Sequence, residues 1–372
     1  MKKYSFTFIR GGTSRAAFFK KQDLPDDQAE WPTIFRSVLG VHTPADAASA
    51  TMGQDLPSHK VAVISKSERA EADVEYHFFQ IDPKSGFADS RGSCGNMASA
   101  VAPFAIDEGM VSASDGENLV RIYHTNTKKI IESRVQAKNG RALVHGDVCI
   151  AGVPGTGSPI LLDFLNPGGG YSGNLFPTGN PTDTITLPDS STIRATIIDC
   201  GNPCAVIDAG DLGLSGYEIS EFASLPEIRK NIEIIRCVTA QMLGLVSYWE
   251  DARTNSTYIP QVAIVSTPGS YTATDGTAVH AEDMDINLRA FFTSLHKACP
   301  VTTGIATAAS AKLQGTVAYT LACKTNNPFI RIGHPSGTLQ IGVESDGHSV
   351  QCCTILRTSR RLFDGLLYTE QE

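Results

Sequence analysis

The chain has 372 residues, enough for two domains or one large one. At 41% hydrophobic and 19% charged it has an ordinary globular composition, and a formal net charge of −8 with a pI near 5.6 argues against nucleic acid or an acidic membrane surface as partner. No apolar run is long enough to cross a bilayer, Met1-Lys2-Lys3 runs into an alternating strand rather than a signal sequence, and nine cysteines without framework or zinc spacing point to a reduced, cytoplasmic protein.

Residues 3–10 alternate and predict a strand; Gly11-Gly12-Thr13-Ser14 is a tight polar turn, and residues 16–20 form the return strand. An amphipathic helix is expected over 31–39, a loop over 45–57 containing Met52-Gly53-Gln54, and strands over 58–65 and 74–81. A small-residue helix follows from Cys94, ending where Gly109 can adopt the left-handed conformation. Residues 119–125 and 129–137 read as a hairpin, and the Pro/Gly-rich stretch 166–181 as a boundary or long loop. The second half predicts strands over 191–199 and 205–208 around a Cys200-Gly201-Asn202-Pro203-Cys204 turn, a helix over 225–243 and a strand over 261–266. It continues with a helix over 287–298, a small-residue helix opening at Thr302-Thr303-Gly304, and strands over 317–323, 329–332, 338–344 and 348–358.

The halves mirror each other in order. Gly12-Thr13-Ser14 matches Gly201-Asn202-Pro203, Lys60-Val61-Ala62-Val63-Ile64-Ser65 matches Gln261-Val262-Ala263-Ile264-Val265-Ser266, and Cys94-Gly95 matches Thr303-Gly304. The pattern predicts an α+β protein of two pseudo-symmetric domains, each a curved, mostly antiparallel sheet around a central helix, with both helix starts facing one cleft. Domain bounds are expected at 1–182 and 183–358, with 359–372 a C-terminal segment packing back on the first domain.

The stretch from Asp89 to Ala105 is the centre of this arrangement, a polar glycine-bearing turn running into an apolar helix. A helix start offers unpaired N–H groups and a positive dipole end, which favour a thiolate and bind carboxylates. Free cysteines are more often small buried hydrophobes; the Gly-Ser before Cys94 and the Gly95-Asn96 after it argue instead for an exposed backbone and a working thiol.

Arg10-Gly11-Gly12-Thr13-Ser14, then Ser58-His59-Lys60-Val61-Ala62-Val63-Ile64-Ser65, Ser93-Cys94-Gly95-Asn96 and His334-Pro335-Ser336-Gly337 together resemble the PrpF-type isomerases. That family includes methylaconitate isomerase, methylitaconate isomerase and oxalomesaconate tautomerase, and it shares the diaminopimelate epimerase fold. The resemblance covers essentially the whole chain. It implies a 1,3-allylic proton shift on a small unsaturated di- or tricarboxylate, without metal or organic cofactor, with Cys94 and Lys60 as the catalytic pair. The chain departs from the family pattern at Arg15, where lysine is common, at His59, where serine is common, and at Met52-Gly53-Gln54, which replaces a glycine-rich stretch.

An allylic shift passes through a dienolate, so it needs a base, a means to reprotonate, and donors for the enolate oxygens. Cys94 suits the base; Lys60, entering a core strand, suits either the second acid/base or the stabilising charge, against the ordinary reading of a snorkelling strand-end lysine. Gly12, Thr13, Ser14, Gly95, Asn96, Gly201, Asn202, Thr303 and Gly304 offer backbone N–H groups and short polar side chains to carboxylates, against the plain reading of turn chemistry. His334 and Ser336 are the further candidates for substrate binding. Two rivals stay open: a cofactor-independent racemase or epimerase, with Cys204 as a displaced second thiol, and a non-catalytic carboxylate-binding protein. A homodimer is the assembly left open.

Overall fold

The structure, a computed structural model, describes residues 2–41, 59–83, 85–292 and 294–369. The predicted 45–57 loop with Met52-Gly53-Gln54, and Ser58, lie outside them. The chain packs as two compact units, residues 1–163 with 356–372 and residues 164–355.

In the first unit, β1 (Lys2–Gly11) and β2 (Ser14–Lys20) form the opening hairpin, and α1 (Trp31–Leu39) follows. β3 (Lys60–Lys66) joins β2 in parallel, β4 (Val74–Ile81) joins β3 antiparallel, and the short β5 (Ala88–Asp89) pairs on β4. After α2 (Gly95–Asp107), β6 (Gly116–His124) returns parallel to β4 and β7 (Lys129–Lys138) closes the hairpin. The C-terminal strand Ser359–Thr369 pairs with β1 along its whole length.

Both faces of the sheet are covered, which is why β2 and β3 are apolar in near-continuous runs. Val61, Val63, Phe79 and Phe19 pack with Trp31, Phe35, Val38 and Leu39 of α1. The opposite face takes α2, whose Phe104 ring lies 5.3 Å from that of Phe18. Alanine, glycine and serine at six positions of α2 let the strands close on it, and eleven of its residues are buried. Burying each large side chain of this kind contributes roughly 1.5–3 kcal/mol.

The second unit repeats this plan. β8 (Thr192–Cys200) and β9 (Asn202–Asp208) are antiparallel, and α3 (Pro226–Met242) follows. β10 (Gln261–Ser266) is parallel to β9, and β11 (Ile286–Phe291) antiparallel to β10. α4 (Val301–Lys312) and the short α5 (Val317–Leu321) precede β12 (Phe329–His334), parallel to β11, and β13 (Gly337–Ser345), antiparallel to β12. α3 covers one sheet face through Ile232 and Ile235, as α1 does in the first unit. The register also corrects the alignment of the two opening turns. Ala17 pairs with Val61, whereas Ala205 pairs with Val262, so the second turn is one residue shorter and Asn202 corresponds to Ser14.

Two predicted elements are overturned. Residues 287–298 do not form a helix; Ile286–Phe291 is a strand buried at all six positions. Its leucine, arginine and alanine favour helix, but tertiary pairing overrides that, and buried Arg289 donates to Tyr217 O at 3.1 Å, Glu218 O at 2.9 Å and Asn287 Oδ1 at 2.9 Å. Residues 317–323 do not form a strand; Val317–Leu321 is one helical turn. Thr316 caps it, accepting from Tyr319 N at 3.1 Å, while Thr196 Oγ1 accepts from Val317 N at 2.9 Å.

One contact recurs in both units without any sign in the sequence alignment. Before β4, Asp73 accepts from Arg121 N at 2.7 Å and Arg121 Nη2 at 2.8 Å; before β11, Asp285 accepts from Arg331 N and Nη2, both at 2.8 Å. Each aspartate joins a crossover to the parallel strand beyond it. The Asp285 side chain is 2% exposed and that of Asp73 28%. We therefore expect Asp285→Ala to cost about 2 kcal/mol in urea unfolding and Asp73→Ala measurably less; equal, negligible losses would show the paired contacts to be ornamental.

Candidate functional site

Lys60, at the first position of β3, shares its sheet face with Ala62 and Ile64, the face that meets α2. It is 5% exposed, and its amine donates to Gln80 Oε1, directly opposite on β4. The Phe78 ring lies 5.7 Å from Nζ. Burial pushes the Lys60 pKa down, and the Cys94 charge acts against that fall. An amine so placed has a smaller energy gap between its charged and neutral forms than one in water, which suits proton transfer.

Cys94 is the N-cap residue of α2, in an extended conformation, with no side-chain cap bond. Its thiol is therefore not spent on the helix, while its carbonyl accepts from Ala98 N at 3.0 Å and from Tyr76 OH at 3.5 Å. Gly95 and Asn96 follow as the first helical residues, whose N–H groups have no intrahelical acceptor.

The opening turn docks on this helix start. A Cβ on Gly12 would stand 2.1 Å from Asn96 Oδ1, and the residue has φ +50°, so only glycine fits there. Asn96 Nδ2 donates to Thr13 Oγ1 at 3.0 Å, and Ser14 is buried at the start of β2. Arg357, a residue the sequence reading did not single out, donates from Nε to Asn96 Oδ1 at 3.2 Å and is 5% exposed. The structure thus gathers Gly12, Thr13, Asn96 and Arg357 at the head of α2. The one signal for Arg357 in the sequence is a cation ending an otherwise uncharged strand, which periodicity does not distinguish from a surface arginine.

In the second unit Gln261 stands where Lys60 stands in the first. Its Oε1 accepts from Thr303 Oγ1 at 2.6 Å and Thr302 Oγ1 at 3.3 Å, and Asn202 Nδ2 donates to Thr302 Oγ1 at 3.2 Å. Gln261 Nε2 is buried with no hydrogen-bond acceptor. α4 begins earlier than expected, with Pro300 as N-cap, so Thr303 lies within its first turn rather than at its start.

Three glycines offered as backbone donors have their N–H groups bonded within the protein: Gly12 to Thr358 O at 2.9 Å, Gly201 to Pro167 O at 3.1 Å and Gly304 to Pro300 O at 2.9 Å. Their role is close approach instead. A Cβ on Gly304 would meet Ile341 at 2.9 Å, and Gly201, at φ +82°, lies against the backbone of Thr302. His334 and Ser336 belong to the β12–β13 turn, which Tyr271 ties down by donating to His334 O at 2.6 Å and Gly337 O at 2.8 Å; the Ser336 hydroxyl donates to Lys297 O. Cys204 is fully buried in β9, where desolvation pushes its pKa far up, against a thiolate there.

The family described as PrpF protein matches residues 1–370 of this chain. The 3-methylitaconate isomerase of Eubacterium barkeri is 32% identical over 368 residues, covering 98% of this chain and 96% of its own length. The 2-methyl-aconitate isomerase of Cupriavidus necator is 34% identical over 381 aligned positions, covering 98% and 96% respectively. The crystal structure of a methylitaconate-delta-isomerase superposes with a TM-score of 0.81 at 31% identity, covering 98% of this chain and 95% of that one. A hydroxyproline epimerase from Agrobacterium vitis, at 13% identity and a TM-score of 0.57 over 98% of this chain and 92% of its own, shares the fold.

Behind Cys94, the His124 ring stacks edge-on to Tyr76 at 4.7 Å. Burial lowers the His124 pKa to about 3, with His77 adding repulsion, and lowers that of His77 to about 4, with Lys21 adding to it. Both folded values lie below the unfolded value near 6.5, so protons favour the unfolded chain. The contribution of these two histidines to stability is therefore expected to be complete above about pH 6.5 and to be lost as the pH drops through that value toward their folded values of about 4 and about 3. Thermal melts should show this decline, and His77→Phe with His124→Phe should flatten it; an unchanged acid limb in the double variant would place its origin elsewhere.

Proposed function

The chain belongs to the PrpF family, and from that premise we propose that it is an isomerase that moves a proton across an allylic system in a small unsaturated di- or tricarboxylate. Relatives named for 3-methylitaconate and 2-methyl-aconitate support that substrate class. The observation that carries the mechanism is the conjunction, in one unit, of a buried lysine with a neutral hydrogen-bond acceptor and an uncapped thiol at a helix start.

In this reading the Cys94 thiolate removes the proton from the carbon next to the double bond, and the C–H electron pair enters the conjugated carboxylate as a dienolate. The ammonium of Lys60 offsets the charge on the dienolate oxygens and returns a proton two carbons away as the double bond moves; the Cys94 thiol then gives up its proton and the Lys60 amine regains one, which restores the starting pair. No electron leaves or enters, so the chemistry is acid–base throughout. Carboxylate oxygens are held by the N–H groups of Gly95 and Asn96, by Thr13 and by the Arg357 guanidinium, where helix dipole and cation act together.

The second unit is assigned to anion binding, through Asn202, Thr302, Thr303 and the spare N–H of Gln261. Neither an amide nor a threonine hydroxyl ionises near neutral pH. A racemase needs an acid/base group in both units, and none of Asn202, Gln261, Thr302 and Thr303 supplies one.

The test is turnover on a panel of unsaturated polycarboxylates. Cys94→Ala should abolish it with the fold intact, and Lys60→Gln should lower kcat at least about a hundredfold. Glutamine is tolerated at the equivalent strand position of the second unit, so loss of activity in Lys60→Gln reports chemistry rather than unfolding. Near-normal turnover by Cys94→Ala would overturn the mechanism, and a change confined to KM in Lys60→Gln would make Lys60 a binding residue.

A further inference from the structure

We infer that Gln80 is the positioning residue for Lys60: its amide oxygen fixes the amine in place and, being neutral, leaves the lysine able to change its protonation state. The inference rests on the reading of Lys60 as a proton-transfer group.

Gln80 is 2% exposed and stands opposite Lys60 in the β3–β4 register, so the two side chains project from the same sheet face. Its own orientation is locked. Nε2 donates to His59 O at 2.8 Å and to Ile81 O at 3.3 Å, two acceptors that an amide oxygen cannot satisfy. The oxygen of Gln80 must therefore face Lys60, and the Lys60 amine donates to it. Strand backbone at both ends of the contact leaves little freedom to the pair.

The neutrality of the partner is the consequential feature. A carboxylate at this position would hold the lysine charged, since an opposite charge at contact distance favours the ionised form. An apolar side chain would remove the acceptor and favour the neutral amine. Of the charged and titratable groups on the elements around Lys60, β2 carries Arg15 and Lys20, β4 carries Glu75, Tyr76 and His77, β5 carries Asp89 bonded to Arg91, α2 begins at Cys94 and ends at Asp107, and His59 directly precedes Lys60. Among these the charge that acts on Lys60 is that of Cys94. The lysine thus feels the charge of Cys94, while the acceptor opposite it on β4 is electrically neutral.

The experiment compares Gln80→Glu and Gln80→Met in the full chain, with the Lys60 titration followed by NMR of 13Cε-labelled lysine, assigned by its loss in Lys60→Gln. Gln80→Glu should raise the midpoint by at least about one pH unit, tenfold in the acid constant. It should also lower kcat at least about tenfold with KM within about threefold, as expected for a displaced acid/base. Gln80→Met, which keeps the shape and covers the case where the glutamate variant does not fold, should lower the midpoint and cut kcat. A Lys60 midpoint unmoved in either folded variant would reduce Gln80 to a structural residue and overturn the inference. Should the wild-type protein turn over no unsaturated polycarboxylate, the proposed function fails, while the titration still decides the link between Gln80 and Lys60.

Discussion

A lysine amine sealed beneath the head of a helix has to find its hydrogen bond inside the protein, and much of the first unit follows from that demand. At the first position of β3 the residue is only 5% exposed, and desolvation alone would make its charged form costly. The register of β3 with β4 answers with Gln80, and the His59 and Ile81 carbonyls fix which way that amide points. The small side chains of α2 let the strands close tightly enough to exclude solvent. The same closeness sets Gly11 and Gly12 against Asn96, where no larger residue fits. Packing and site chemistry are therefore one constraint: the core that stabilises the unit is what keeps Lys60 out of water.

The two units show what that constraint adds to a shared scaffold. Strand order, crossover directions and the aspartate–arginine staple repeat, at Asp73 with Arg121 and at Asp285 with Arg331. What differs is concentrated at the polar head of each central helix. Lys60 and Cys94 in one unit stand against Gln261 and Thr303 in the other, an ionisable pair against a hydrogen-bonded neutral pair. The fold is thus satisfied by either set, and on the proposed mechanism the charge of Lys60 is an addition for chemistry, carried with a buried acceptor opposite it.

Much of this was legible in the sequence because it is written in local pattern. The Trp31–Leu39 helix follows from apolar periodicity, β3 and β10 from their matching apolar runs, and the Cys94 helix from its glycine turn and small residues. Local pattern failed where tertiary contacts decide. Asn287, Leu288 and Arg289 look helical until the partners of Arg289 are known, and the β-branched and aromatic run at 317–321 looks like a strand until Thr316 caps it. The glycine turns were recognised, but Gly12, Gly201 and Gly304 are there for space, a fact held in their neighbours and not in their own sequence. Gln80 carries no local signal, and Arg357 only that of a cation ending an otherwise uncharged strand. Each matters through a residue far along the chain or across a strand, which composition and spacing do not encode.

The central claim is that a proton leaves one carbon and returns two carbons away, through groups of the first unit, while a double bond moves. The measurement that tests it most directly is proton NMR of the enzyme acting on an unsaturated polycarboxylate in D2O. The account predicts deuterium entering at the allylic carbon in step with migration of the double bond, and none of either in Cys94→Ala. Deuterium appearing at the alpha carbon of a saturated amino or hydroxy acid, with inversion and no migrating bond, would contradict it.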